Sequence, residues 1–213
     1  VIQGAKIADI AIKNIKMNIN TTNENAVIGS LVGLAIQSRI ENVFIDDGNS
    51  LENLSGQKIY SIQNNQYGIN LNIGANSKNI LVGGLAGAIQ GGEVVNSSVK
   101  VKIASGFPSI DSINMLVGGM IGYIGKESRI SFEVKDSSLA EFDIYSCLNP
   151  SLENAENISA TSKFAFGGVA GLNLGEIVNG QVRAFIYGNN NIGGVAGVNA
   201  GKITGAVVEP TII

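Results

Sequence analysis

Five times the chain writes the same octet: Val27-Ile28-Gly29-Ser30-Leu31-Val32-Gly33-Leu34, Leu81-Val82-Gly83-Gly84-Leu85-Ala86-Gly87-Ala88, Leu116-Val117-Gly118-Gly119-Met120-Ile121-Gly122-Tyr123, Ala165-Phe166-Gly167-Gly168-Val169-Ala170-Gly171-Leu172 and Asn191-Ile192-Gly193-Gly194-Val195-Ala196-Gly197-Val198. Each reads apolar-Gly-Gly-apolar-apolar-Gly-apolar, with Ser30 as the one exception at the second glycine. Recurrence of a short apolar unit along a chain marks a repeat architecture, in which neighbouring units cover what no single unit can bury.

At strand period the second octet puts Leu81, Gly83, Leu85 and Gly87 on one face and Val82, Gly84, Ala86 and Ala88 on the other. Neither face is polar, so the segment is a buried strand or a buried piece of helix. Three glycines in five residues decide against helix, where each costs about 1 kcal/mol relative to alanine. Inside a strand, glycine marks a bend or a close approach of another backbone. Five equivalent copies make the next copy the natural neighbour, which predicts stacked rungs, each holding a two-sided apolar strand, a turn and a half-exposed strand. The half-exposed strands are legible downstream, at Ser98-Val99-Lys100-Val101-Lys102-Ile103 and Ile130-Ser131-Phe132-Glu133-Val134-Lys135, and at Val182–Ile186 apart from an outward Phe185.

The first glycines of the motifs lie 54, 35, 49 and 26 residues apart. The shortest interval fits one coil, and the excess in the others reads as loops or hairpins, which cost little because loop-closure entropy rises slowly with length. A second mark is Ile/Val-x-Asn just past the turn, at Ile12/Asn14, Ile40/Asn42, Val94/Asn96 and Ile177/Asn179. Asparagine tolerates left-handed backbone and can stack its amides along a ladder, although turns favour it in any case.

These features predict an all-β, right-handed parallel β-solenoid of about six coils, occupying 1–213 as one block. Residues 1–24 read as a first coil that lacks its glycine strand. Repeats fall near 25–45, 78–103, 113–136, 163–188 and 189–208, with insertions at 46–77 and 137–162. Asn64-Asn65 signals a hairpin turn in the first insertion, and Ser151–Asn157 in the second has the pattern of one capped helical turn. The chain starts at Val1 with neither an initiator methionine nor a signal peptide, as a piece of a longer protein would.

Composition narrows the functional classes. Twenty-eight glycines and 6% aromatics differ from an ordinary globular enzyme. A net charge of −3, with no basic cluster interleaved with aromatics, argues against nucleic acid as partner. No apolar run reaches the length of a membrane span, so no membrane insertion is expected. The absence of histidine removes Ser/His/Asp and Cys/His catalysis and the commonest zinc ligand. Cys147 has no partner for an intrachain disulfide and reads as a small apolar residue.

Gly83-Gly84-Leu85-Ala86-Gly87 followed by Gly92-Glu93-Val94-Val95-Asn96-Ser97, and Gly167-Gly168-Val169-Ala170-Gly171 followed by Gly175-Glu176-Ile177-Val178-Asn179, resemble the GLUG motif. The resemblance extends over all five copies. It implies a module of a large bacterial surface or secreted protein, such as adhesins of the filamentous-haemagglutinin kind or the non-catalytic region of immunoglobulin A metallopeptidases. The peptidase's His-Glu-x-x-His is missing, since the chain has no histidine. A fold family hosts many functions, so activity has to be argued from a site.

Parallel β-helices also include polysaccharide lyases and hydrolases, which need clustered carboxylates or calcium ligands. The six aspartates are scattered, and only Asp46-Asp47 are adjacent, where solvated turn acids are expected in place of a calcium site. Five threonines are too few for a flat ice-binding rank. Gly83-Gly84-x-x-Gly87 is no phosphate-cradling loop, because Lys-Ser/Thr does not follow. The expectation is therefore a non-enzymatic, cofactor-free stalk or recognition module at the bacterial surface or outside the cell. Its partners would be a host protein or glycan and the parent protein's flanking domains; a carbohydrate-active β-helix enzyme is the alternative. Candidate contact residues are the insertion aromatics Tyr60, Tyr67, Phe107, Phe142 and Tyr145, which would otherwise pack the insertions onto the scaffold.

Overall fold

The computed structural model describes residues 1–47, 68–74, 76–106, 113–132, 144–150, 163–186 and 191–212. Among them there is no helix; the chain is a parallel β-solenoid of six coils whose strands stack into three sheets. The first sheet holds β4 (Asn25–Gly29), β8 (Asn79–Gly83), β12 (Asn114–Gly118), β16 (Lys163–Gly167) and β20 (Asn191–Gly193). The second holds β1 (Ile2–Gln3), β5 (Val32–Ile36), β9 (Ala86–Gln90), β13 (Ile121–Ile124), β17 (Ala170–Asn173) and β21 (Ala196–Asn199).

The third, long sheet has two halves joined along its strands. One is β2 (Lys6–Lys13), β6 (Arg39–Asp46), β10 (Glu93–Val95), β14 (Arg129–Ser131), β18 (Glu176–Val178) and β22 (Lys202–Thr204). The other is β3 (Lys16–Thr21), β7 (Gly68–Ile73), β11 (Ser98–Gly106), β15 (Ile144–Pro150), β19 (Gln181–Ile186) and β23 (Val207–Ile212). The coil of residues 1–24 has strands in the second and third sheets and none in the first, as its missing glycine motif predicts.

The five first glycines form one register column, Gly29–Gly83–Gly118–Gly167–Gly193. The octet is not one two-sided strand, however. It is a corner: Leu81-Val82-Gly83 ends a strand of the first sheet, and Ala86-Gly87-Ala88 begins one of the second. Between them the apolar residue points inward, and Leu85, Met120 and Val169 are fully buried. Hydrogen bonding continues through the bend, with Leu85 N donating to Met120 O (2.9 Å), Met120 N to Val169 O (3.1 Å) and Val169 N to Val195 O (2.9 Å).

The glycines are required by contact. A Cβ on Gly118 would lie 1.9 Å from Ile121 O and 2.5 Å from Val169 O of the next coil. The third glycine meets the preceding coil: Cβ atoms on Gly87, Gly122, Gly171 and Gly197 would sit 2.5–2.6 Å from the backbone nitrogens of Ile28, Val82, Val117 and Phe166. The first and second sheets thus touch backbone to backbone, without the layer of side chains that usually separates stacked sheets by about 10 Å.

Branched apolar side chains fill the space inside the coils, in columns such as Ile40–Val94–Ile130–Ile177 and Val82–Val117–Phe166. Phe164 and Phe166 stack with centroids 6.2 Å apart. The segments assigned to insertions each supply a rung. Gly68–Ile73, within 46–77, is β7, parallel to β3 and β11 and not half of a hairpin; Ile144–Pro150, within 137–162, is β15. Asn64-Asn65 and Ser151–Asn157 lie outside the described residues.

Left-handed backbone marks the corner at Asp9, Asn42, Asn96 and Asn179, with Gly205 closing the column in the last coil. The first-coil member is Asp9 and not Asn14, because Ile7 is the register mate of Ile40 and Ile12 that of Ile45. Asn14 is left-handed too, at a separate bend.

Candidate interaction surface on the long sheet

Alternation along the long sheet sends Ile40, Val94, Ile130 and Ile177 inward and their neighbours outward. The neighbours one position earlier form a single column across all six coils: Lys6, Arg39, Glu93, Arg129, Glu176 and Lys202. Ion pairs run along it. Lys6 Nζ lies 3.3 Å from Glu41, Arg39 Nε donates to Glu41 at 3.0 Å, and Arg39 also pairs with Glu93. Further along, Arg129 lies 3.6 Å and Lys202 2.9 Å from Glu176. The Arg39 hydrogen bond, with one from Lys6, holds the Glu41 carboxyl below the usual carboxylate range, and the Lys202 hydrogen bond does the same for Glu176.

A second column, Lys13–Asp46–Lys100–Tyr145–Arg183–Glu209, lies on the other half of the sheet. Lys100 Nζ lies 3.8 Å from Asp46. Asp47 is not a solvated turn acid: it is buried, and its carboxylate accepts the backbone N–H of Lys102 at 2.7 Å. It stands where the rung of β6 ends, and supplies an oxygen to β11 where a neighbouring strand would otherwise offer a carbonyl. Among the described residues no group of three or more His, Cys, Asp or Glu is placed to hold a metal ion.

Amide ladders occur as the asparagine content suggests, but at other positions. Asn79 Nδ2 donates to Asn25 at 2.8 Å, and Asn114 Nδ2 to Asn79 at 3.0 Å. Asn70 Nδ2 donates to Asn18 at 3.2 Å, and buried Asn173 to Asn199 at 2.7 Å.

Of the aromatic candidates, Tyr60, Tyr67, Phe107 and Phe142 lie outside the described residues. Tyr145 is not in an inserted loop; it is a register position of β15, between Lys100 and Arg183. The motif glycines Gly29, Gly83, Gly118, Gly167 and Gly193, with Gly33, Gly87, Gly122, Gly171 and Gly197, gather at the corner between the first two sheets, as does Gly84. Sequence reasoning missed the charged column, although its signal was present. Arg39, Glu93, Arg129, Glu176 and Lys202 fall 10, 10, 11, 9 and 9 residues after their coil's first glycine.

No curated protein matches the chain, and no solved structure does. One family model, described as the GLUG motif, matches residues 78–104, which form the third coil from its first strand into β11. That coil lies in register with the glycine corners on either side of it, so the chain carries a GLUG motif within a run of stacked repeats.

Proposed function

We propose that the chain is a non-catalytic stalk and recognition module of a bacterial surface or secreted protein, engaged in adhesion or accessory to a secreted peptidase. The observation that carries this reading is the long sheet's outward face: a charged column keeps one register through all six coils of a stack built on backbone-to-backbone contact. Five steps of about 4.8 Å make a rigid strip about 24 Å long, on which side-chain positions are fixed by hydrogen bonding in place of loop conformation. Rigid presentation suits binding, because little conformational entropy is lost when a partner docks.

The test is direct binding of the purified chain to immobilised glycans and host matrix proteins, run beside a depolymerisation assay on neutral and acidic polysaccharides. Saturable binding without chain cleavage is expected. Turnover of a polysaccharide would replace this reading with the carbohydrate-active one, and a blank binding panel would reduce the module to a spacer.

A further inference from the structure

The cations of the long sheet are not evenly compensated, and their placement deepens the recognition reading on which this inference rests. We propose that Lys13, Lys16, Lys100 and Lys102 form a docking site for a linear anionic polysaccharide, carrying sulfate or carboxylate groups, with Asn18 and Asn70 beside them as partners for sugar hydroxyls.

Register brings the four lysines together from two coils. Asp46 of β6 pairs with Lys13 on one side and Lys100 on the other, so these two lysines stand two rungs apart. Gly68 of β7 pairs with Lys16, and a Cβ on it would lie 3.1 Å from Lys102 Cβ, which places Lys16 and Lys102 two rungs apart in the adjacent row. Strand geometry makes the patch about 9.6 Å along the stack and roughly 7 Å across it. Val101 is buried between Lys100 and Lys102, as Ile15 is between Lys13 and Lys16, so both pairs point away from the core.

The charge balance here differs from that of the Lys6–Lys202 column, where every cation is paired with the carboxylate of Glu41, Glu93 or Glu176. The outward carboxylate within the patch is Asp46, next to Lys100; the Asp47 carboxylate is turned inward onto the Lys102 backbone. Lys13, Lys16 and Lys102 form no salt bridge among the described residues. Protection of an exposed sheet edge, a common reason for lysine on outer strands, explains Lys13 and Lys16 in the first coil. It does not explain Lys100 and Lys102, since β11 is flanked by β6 and β7 on one side and β15 on the other.

The middle rung of the outer row carries no side chain, because it is Gly68. That leaves a path from Lys16 to Lys102 clear of Asp46. Asn18 follows Lys16 on the same outward face and is bridged to Asn70, so amides that pair with hydroxyls adjoin ammonium groups that pair with anions. A polymer bearing both groups at repeated intervals matches this arrangement better than a compact single anion, which Asp46 would repel.

The experiment measures binding of the chain to size-defined dextran sulfate, to oligogalacturonate and to duplex DNA of equal charge. Affinity for one or both glycans is expected to fall roughly 10- to 100-fold between 50 and 200 mM salt, as a contact made by a few cations does. The combined Lys13→Gln, Lys16→Gln, Lys100→Gln and Lys102→Gln variant should lose at least about tenfold, with an unchanged circular-dichroism spectrum. Lys78→Gln with Lys126→Gln should bind as the parent chain does. As a second variant that leaves every charge in place, Asn18→Ala with Asn70→Ala should weaken glycan binding without altering the fold. Which glycan binds distinguishes sulfate from carboxylate recognition. Equal binding to DNA overturns the assignment to a polysaccharide, and undiminished glycan binding by the quadruple variant overturns the site while leaving the recognition reading intact. Binding to a host protein but to neither glycan does the same; binding to nothing overturns both.

Discussion

Replacing Gly118 by alanine tests whether glycine builds the corner by permitting contact or merely by bending easily. The added Cβ would stand 1.9 Å from Ile121 O and 2.5 Å from Val169 O, where real Cβ atoms essentially never come within 3.0 Å of another heavy atom. Both obstacles are backbone, one in the same coil and one in the next, so no side-chain rotation relieves them. The strands must separate by an ångström or more. That strains the bonds from Gly119 N to Gly167 O (3.0 Å), Met120 N to Val169 O (3.1 Å) and Ile121 N to Val169 O (2.9 Å). Three net hydrogen bonds at about 1 kcal/mol each and an overpacking cost of about 1–3 kcal/mol give roughly 4–6 kcal/mol. The comparison is Gly180→Ala, where the new Cβ would meet only the side chains of Phe132 and Ile177 at 3.6–3.9 Å, with no left-handed φ; its cost should stay within about 0.5 kcal/mol. Urea denaturation followed by far-ultraviolet circular dichroism reads both. Equal midpoints for the two variants would refute the contact argument.

Removing Phe164, which is fully buried and stacked on Phe166, should cost about 3–5 kcal/mol on mutation to alanine, measured by the same titration. Asp47→Ala leaves the Lys102 N–H without its acceptor, so about 1–3 kcal/mol should be lost and amide exchange at Lys102 should accelerate. Because Glu41 and Glu176 are held below their ordinary value of 4.5 in the folded chain, their contribution to stability is present above that pH. It is lost as pH falls through the depressed values, when the unfolded chain binds more protons. The Glu41→Gln, Glu176→Gln double variant should therefore show a shallower loss of melting temperature below pH 4.5 than the parent chain, and the difference should shrink in high salt.

Repetition made much of the architecture legible. Any unit that is apolar all round must be covered by its neighbours, so five octets at intervals implied stacked coils, and the alternation at 98–103 fixed which residues of that strand face inward. Residues 1–24 were readable as a coil without a glycine strand for the same reason. The octet's place at a corner was not legible in this way. Two-faced apolarity fits a straight strand and a sharp corner equally well, and only the position of Leu85, buried between two sheets, separates them. Register errors had a related cause. Asn14 and Asn42 both follow an isoleucine by two residues, but which isoleucines pair depends on hydrogen bonding between coils. Tyr145 reads as a loop residue because the sequence just before it lacks the repeat pattern, and pairing with β11 makes it part of a strand.

What the sequence determined alone was therefore the unit: its length in the uninterrupted coils, its apolar positions, and the glycines without which backbones cannot touch. Tertiary structure decided how units are set against one another. Stacking turned residues 26 to 54 positions apart into neighbours along a charged column, and it brought four lysines from two coils onto one face. The physical reason is that side-chain polarity is local information, whereas the partner across a hydrogen-bonded rung is set by the winding of the whole chain.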